Sequence, residues 1–236
     1  MRAETITLSQ PCGHAWLGEP LASGLKRASV TIKAVCWDFG GVISSSPFDA
    51  FARYEEEQGL PPGFIRSINA TNPDTNAWSQ LECSTVTMEE FCLLFETEAA
   101  AAGGALDARA VLGLLGGDIR PEMVEAVRRC RQHVKTALLT NNFLRDEASF
   151  GHEEMLAMFD VVVESRSAGV RKPDPHFYQL ALDQLGVAPE QAVFLDDLGV
   201  NLKPARALGM HTIKVVDPGA ALDELEALVG FSLRPS

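Results

Sequence analysis

No run of about 18 apolar residues, the length that spans a bilayer as a helix, occurs in this chain, so no transmembrane segment is expected. No C-x-x-C pair occurs either. The five cysteines, Cys12, Cys36, Cys83, Cys92 and Cys130, are odd in number and irregularly spaced. That pattern argues against a disulfide framework or a thiolate zinc site, and for reduced thiols in a cytoplasmic protein. The five histidines show no metal-ligand spacing. The phosphate-cradling G-x-x-x-x-G-K-[ST] loop is missing, and Ser44 to Ser46 lack the G-x-S-x-G turn of a serine hydrolase. Asp38-Phe39-Gly40 spells the metal-binding tripeptide of protein kinases, but neither a glycine-rich loop nor an H-R-D loop accompanies it. The first 29 residues have no continuous apolar core of a signal-peptide kind and no periodicity, and are expected to form a loose N-terminal extension.

Basic residues are scarce. Twenty Lys and Arg stand against 32 Asp and Glu, for a formal net charge of -12. This balance opposes general binding to nucleic acid or to an anionic membrane. It leaves small anionic substrates open, because a metal ion or a lysine makes a pocket locally positive on an acidic protein.

What is present suits a globular fold. The 236 residues are 46% hydrophobic and 22% charged, enough for one sizeable α/β domain with a small insert. Val30 to Trp37 is β-rich and runs into an acid and two glycines, the pattern of a buried strand entering a tight loop. From Pro47 to Gly117 the texture is helical. Phe48 to Gln58 and Asp107 to Leu115 are candidate helices, and Met88 to Ala102 has Thr87 and Glu90 at capping-box positions. Strands then alternate with helices: strands at 134–139, 159–164, 191–195 and 212–216, helices at 121–132, 176–185, 202–208 and 220–229. Such alternation implies right-handed βαβ units and a mostly parallel sheet, whose ligands bind beyond the carboxyl ends of the strands. Those ends carry Asp38, Thr140-Asn141-Asn142 and Asp196-Asp197, while Lys172 lies in Val170-Arg171-Lys172-Pro173.

The order Asp38, Thr140, Lys172, Asp196-Asp197 resembles the four motifs of the haloacid-dehalogenase-like hydrolase superfamily. The resemblance covers roughly Ile32 to Val229. Within the superfamily, Phe194 to Arg206 is most similar to the phosphatase-like N-terminal domain of soluble epoxide hydrolases. The resemblance implies a Rossmann-like core, residues 30–46 and 118–236, with a helical cap, 47–117, inserted after the first strand. It implies a phosphorylated small-molecule substrate and a Mg²⁺ cofactor, the ion held by Asp38, the carbonyl of Gly40 and Asp197. Asp38 would be the nucleophile and Lys172 would hold nucleophile and phosphate. Thr140 and the N–H of Asn141 would donate to phosphate oxygens. Asp196 would orient Lys172, and Asn201 would sit behind the metal ligands. Of the cap residues, Trp78, Leu81 and Glu82 share a helical face; Trp78 could stack on a substrate, but packing between cap and core is the favoured expectation. Nothing in the sequence speaks to oligomeric state.

One position departs from the phosphatase pattern. Two residues after the nucleophile, where an aspartate protonates the leaving group in phosphatases of the family, stands Gly40. Three readings follow. The chain is a phosphatase, acting on good leaving groups such as a sugar 1-phosphate or an acyl phosphate or using another acid; it is a dehalogenase, since departing halide needs no proton; or it is a module that binds metal and phosphate without turnover. Against the dehalogenase, Ser44-Ser45-Ser46-Pro47 offers no arginine soon after the nucleophile.

Overall fold

The computed structural model describes residues 30–142 and 152–235. The expected N-terminal extension, with Cys12 and His14 in it, lies outside the described residues. The chain contributes five strands to one parallel sheet: β1 (Ala34–Trp37), β2 (Lys135–Thr140), β3 (Val161–Glu164), β4 (Ala192–Asp196) and β5 (His211–Lys214), in the order β3-β2-β1-β4-β5. Side chains alternate between the faces of a strand, so each central strand feeds two cores. Val35, Trp37, Leu138, Val193 and Leu195 face one side; Ala34, Cys36, Ala137, Leu139 and Phe194 face the other. The first face is covered by α6 (Pro121–Cys130) and α11 (Pro218–Val229), the second by α9 (Pro175–Leu185) and α10 (Gly199–Leu208). This is the parallel sheet that the alternation implies, in the Rossmann-like α/β layering that the resemblance implies.

Between β1 and α6 the chain makes five helices: α1 (Phe48–Glu57), α2 (Phe64–Ala70), α3 (Ala77–Glu82), α4 (Met88–Ala101) and α5 (Ala108–Gly113). Phe51, Ile65, Trp78, Phe91 and Phe95 form a third apolar cluster confined to this insert. Its two connections to the sheet run side by side. Ser45 N–H donates to the Asp118 carbonyl at 2.8 Å, Asp118 N–H to Ser45 Oγ at 3.0 Å, and Arg120 N–H to the Ile43 carbonyl at 2.9 Å. Two more short helices, α7 (His152–Leu156) and α8 (Ser165–Ala168), flank β3. No helix among the described residues is long and apolar enough to cross a membrane.

Several element ends follow the residue chemistry. Thr87 and Glu90 close the expected capping box on α4. Pro121, Pro175 and Pro218 each begin a helix, where a missing N–H costs nothing, and Gly186, Gly209 and Gly230 end one at positive φ. The first strand is shorter than the apolar run suggests and starts at Ala34. Lys33 still bridges its neighbours, donating to Gln191 O and accepting from Lys135 N–H. Helix α10 starts at Gly199, earlier than its apolar periodicity indicates. The helices α2, α3, α7 and α8 have four to seven residues, too few turns to show a period.

Candidate active site

The sheet crosses over at β1: the chain moves outward to β2 and β3 on one side, then to β4 and β5 on the other. A crevice opens at the carboxyl ends of strands where the order reverses. Pairing of Trp37 with both Leu138 and Leu195 puts the next residues of the three strands side by side. The acids, hydroxyl and amide there come together for that reason.

Asp38 leaves β1 with its N–H on the Leu195 carbonyl at 2.9 Å. The following turn folds tightly: Ser44 N–H reaches back to the Phe39 carbonyl at 2.9 Å, and Phe39 N–H donates to Asp38 Oδ1 at 2.7 Å. Gly41 makes this possible. Its φ is +75°, and a Cβ there would collide with the Asp197 carboxylate. Gly40 is different. Its φ of -69° and ψ of 131° suit any residue, and a Cβ would meet nothing within 4 Å. Neither space nor backbone strain demands glycine at position 40.

Lys172 is the hub. Only 1% of its side chain is exposed, and its ammonium donates to Asp38 Oδ1 at 2.8 Å and Asp196 Oδ2 at 2.9 Å. Burial by itself would lower its pKa, but the carboxylates of Asp196 and Asp38 outweigh that and hold it above the ordinary value. Asp196 is fully buried. Oδ1 accepts from Leu198 N–H at 2.8 Å, the Asn201 amide reaches both oxygens at 3.1 Å, and Lys172 takes Oδ2. Three donor groups making four contacts occupy this carboxylate's acceptor sites. Asp196 is thus spoken for, although its oxygens lie within 4.8 Å of those of Asp38 and Asp197.

Asp38 and Asp197 are under-compensated. Burial, with Asp196 adding to it against the opposing pull of Lys172, pushes the Asp38 carboxyl up to about 8. Burial and then Asp196 raise Asp197 to about 6, and among the described residues its side-chain hydrogen-bond partner is Ser46 Oγ at 3.5 Å. Burial is the larger cause in both and repulsion from Asp196 adds to it, so a bound cation would favour their charged forms. Clustered carboxylate oxygens are the hard donors that Mg²⁺ takes.

Thr140 ends β2 and is 9% exposed. Asn141 does something the sequence did not indicate. Its side-chain amide donates to the Lys172 carbonyl at 3.0 Å and accepts from Lys172 N–H at 2.9 Å, clamping the lysine's backbone. Three further groups were not anticipated. Arg171 pairs with Glu82, at the end of α3, at 2.6 Å, and Ser165 Oγ donates to the Glu82 carbonyl at 2.7 Å, so insert and core meet beside Lys172. Burial raises the Glu82 pKa against the pull of Arg171. Arg120 Nη1 donates to the Gly41 carbonyl at 2.6 Å and supports the turn after Asp38 from the far end of the insert. The expected place of Trp78 needs correction. It packs inside the insert, edge-on to Phe91 at 5.0 Å and Phe95 at 5.7 Å, rather than between insert and core. The signal was present in Phe91 and Phe95, four apart on one face of α4.

A parallel α/β sheet with a lysine-bridged carboxylate cluster at its strand ends defines a class of acid-centred, metal-ready α/β enzymes. Residues 32–209 match the family described as haloacid dehalogenase-like hydrolase, and the chain belongs to that family. It is similar to acyl-CoA dehydrogenase family member 10 of Mus musculus, 38% identical over 209 residues that make up 86% of this chain and 20% of that protein. It is similar to bifunctional epoxide hydrolase 2 of Sus scrofa, 32% identical over 221 residues, 86% of this chain and 40% of that protein. The chain thus spans less than half the length of either relative. Among solved structures, a HAD family enzyme of Bacteroides thetaiotaomicron in complex with magnesium and inorganic phosphate is matched with a TM-score of 0.52 at 20% identity, over 78% of this chain and 93% of that one. The L-2-haloacid dehalogenase of Xanthobacter autotrophicus, with chloropropionic acid covalently bound, is matched with a TM-score of 0.52 at 19% identity, over 87% and 85%. At those identities the likeness is one of fold, and it reaches both chemistries equally.

Proposed function

We propose that this chain is a Mg²⁺-dependent phosphatase that transfers the phosphoryl group of a small molecule to Asp38 and then to water, with residues 47–117 acting as a cap. The observation that carries this is the charge of the cluster. Lys172 neutralises one carboxylate's worth of charge among three, and both Asp38 and Asp197 are raised toward neutrality. A dehalogenase needs no metal, and its site has no use for the second, uncompensated acid of Asp197.

When bound by Asp38, the Gly40 carbonyl and Asp197, Mg²⁺ would draw charge from the phosphoryl oxygens. The chain supplies the rest. Asp38 attacks phosphorus as a carboxylate, which breaks the bond to the leaving oxygen and forms an aspartyl phosphate. Lys172, held by Asp196 and by the Asn141 clamp on its backbone, favours the ionised form of Asp38 against its burial, a form that bound Mg²⁺ would complete, and faces the incoming phosphate. Thr140 Oγ1 and the Asn141 N–H lie at the strand end where phosphate oxygens need donors. Asn201 acts through Asp196. No side chain at position 40 offers the leaving oxygen a proton, so the substrates are those whose leaving group departs as a stable anion: acyl phosphates or esters of weakly basic alcohols.

The test is phosphate release from acetyl phosphate and p-nitrophenyl phosphate with and without Mg²⁺. Release that needs Mg²⁺ and vanishes in Asp38→Asn is expected. Binding of Mg²⁺ and phosphate with no release from either compound would make the chain a binding module, and chloride release from 2-chloropropionate in EDTA would make it a dehalogenase.

A further inference from the structure

A cavity of about 310 Å³ opens beside the carboxylate cluster, between the insert and the carboxyl end of β5. Gly41, Ser46 and Asp197 bound it on the side of the nucleophile's turn. Its remaining wall carries three cations from separate parts of the chain: Arg66 from α2, Arg120 from the residue before α6, and Lys214 from the end of β5. On a chain with a net charge of -12, three cations against one carboxylate is a local reversal of sign.

These cations are not spent on one another's neighbours. Among the described residues neither Arg66 nor Lys214 forms an ion pair with a carboxylate. The Arg66 guanidinium lies 4.5 Å over the ring of Phe48, which also lines the cavity. Stacking fixes the plane of a guanidinium while leaving its edge N–H groups free to donate. Arg120 uses Nη1 on the Gly41 and Val42 carbonyls, so its charge is anchored but not cancelled. In the proposed mechanism the reacting phosphoryl group already has Lys172 and the metal, and neither Lys172 nor Asp38 lines this cavity. A second positive field is surplus to the transfer itself.

We propose that this cavity receives a second anionic group, a carboxylate or a phosphate, carried on the leaving-group portion of the substrate. The substrate class is then phosphorylated small molecules with two anionic groups, which narrows the phosphatase reading and rests on it. Arg66 and Lys214 are the specificity-determining residues. Because one comes from the insert and the other from the core, a doubly anionic substrate would bridge the two.

The test uses ligands that cannot be hydrolysed. Calorimetric titration in Mg²⁺ at low salt compares ω-carboxyalkylphosphonates of increasing chain length with alkylphosphonates of the same length. At the best length the carboxylate should tighten binding about tenfold, the lower range for a charge-assisted hydrogen bond at a partly exposed site. Arg66→Gln and Lys214→Gln should each bring that ratio toward one. Both side chains are exposed, so folding is not at stake. Equal affinities across the whole series in the unmodified chain, or a ratio untouched by both substitutions, would overturn the assignment. The ratio is read whether or not phosphate is released. A preserved ratio with no release overturns turnover alone, and release with no ratio overturns the cavity's role alone.

Discussion

Replacing Gly40 by aspartate asks whether the site is short of a proton donor. The backbone there, φ -69° and ψ 131°, accepts any residue, and the new Cβ meets nothing within 4 Å. Losing glycine's freedom in the unfolded chain at a compatible position stabilises by about 0.4–1 kcal/mol. A third uncompensated acid near Asp38 and Asp197 pulls the other way, so the net change in stability should stay within about 1 kcal/mol. Activity should move much more. General acid help is worth ~10²–10⁴-fold, or roughly 3–5 kcal/mol of barrier. The gain should fall on alkyl phosphates, whose alkoxides depart badly, and hardly on acetyl phosphate, whose acetate departs without a proton. The assay is kcat/KM in Mg²⁺ across esters of rising leaving-group pKa. The unmodified chain should show a steep decline with leaving-group pKa, and Gly40→Asp a shallow one, with Gly40→Ala as the control for backbone effects. An unchanged slope in Gly40→Asp would refute the reasoning, because a donor would then already be present or no transfer would be occurring.

Three other perturbations follow from the same geometry. Lys172→Met leaves Asp38 and Asp196 buried without their shared cation and should cost about 3–5 kcal/mol by chemical denaturation; a loss below about 1 kcal/mol would deny the lysine its bridging role. In the metal-free protein the folded-state pKa values of Asp38 and Asp197 lie above those of the unfolded chain. Their protonated forms therefore favour folding at low pH, and that contribution is lost as pH rises to about 6 for Asp197 and about 8 for Asp38. The melting temperature without metal should fall between those values and mildly acid pH, and Mg²⁺ should restore more of it at pH 8 than at pH 5; a Mg²⁺ effect independent of pH would count against a carboxylate metal site. Trp78→Ala should cost about 3–5 kcal/mol, since the indole fills the insert's core against Phe91 and Phe95; a large loss of ligand affinity at unchanged stability would return Trp78 to the binding surface.

Some of this was legible along the chain. Alternating strands and helices are local patterns, and their periods and caps declare themselves residue by residue: Thr87 with Glu90, the prolines at helix starts, the glycines at helix ends. The parallel sheet follows from them, because short βαβ connections permit little else. The rule that ligands bind at strand carboxyl ends then selects Asp38, Thr140, Asn141, Asp196 and Asp197 before any coordinates are known. Short helices such as α2 and α3 were not legible, having too few turns for a period.

Tertiary structure decided what depends on distance between residues far apart in sequence. The amide clamp of Asn141 on Lys172, the support of Gly41 by Arg120, and the pairing of Glu82 with Arg171 join positions 31, 79 and 89 residues apart. No local period reports such contacts. Only packing shows that Gly41 is forced by the Asp197 carboxylate while Gly40 is not. Only packing places Arg66, Arg120 and Lys214 around one cavity, on a chain whose summed charge points the other way. Composition and periodicity are sums over neighbours in sequence, whereas the field at a site is a sum over neighbours in space.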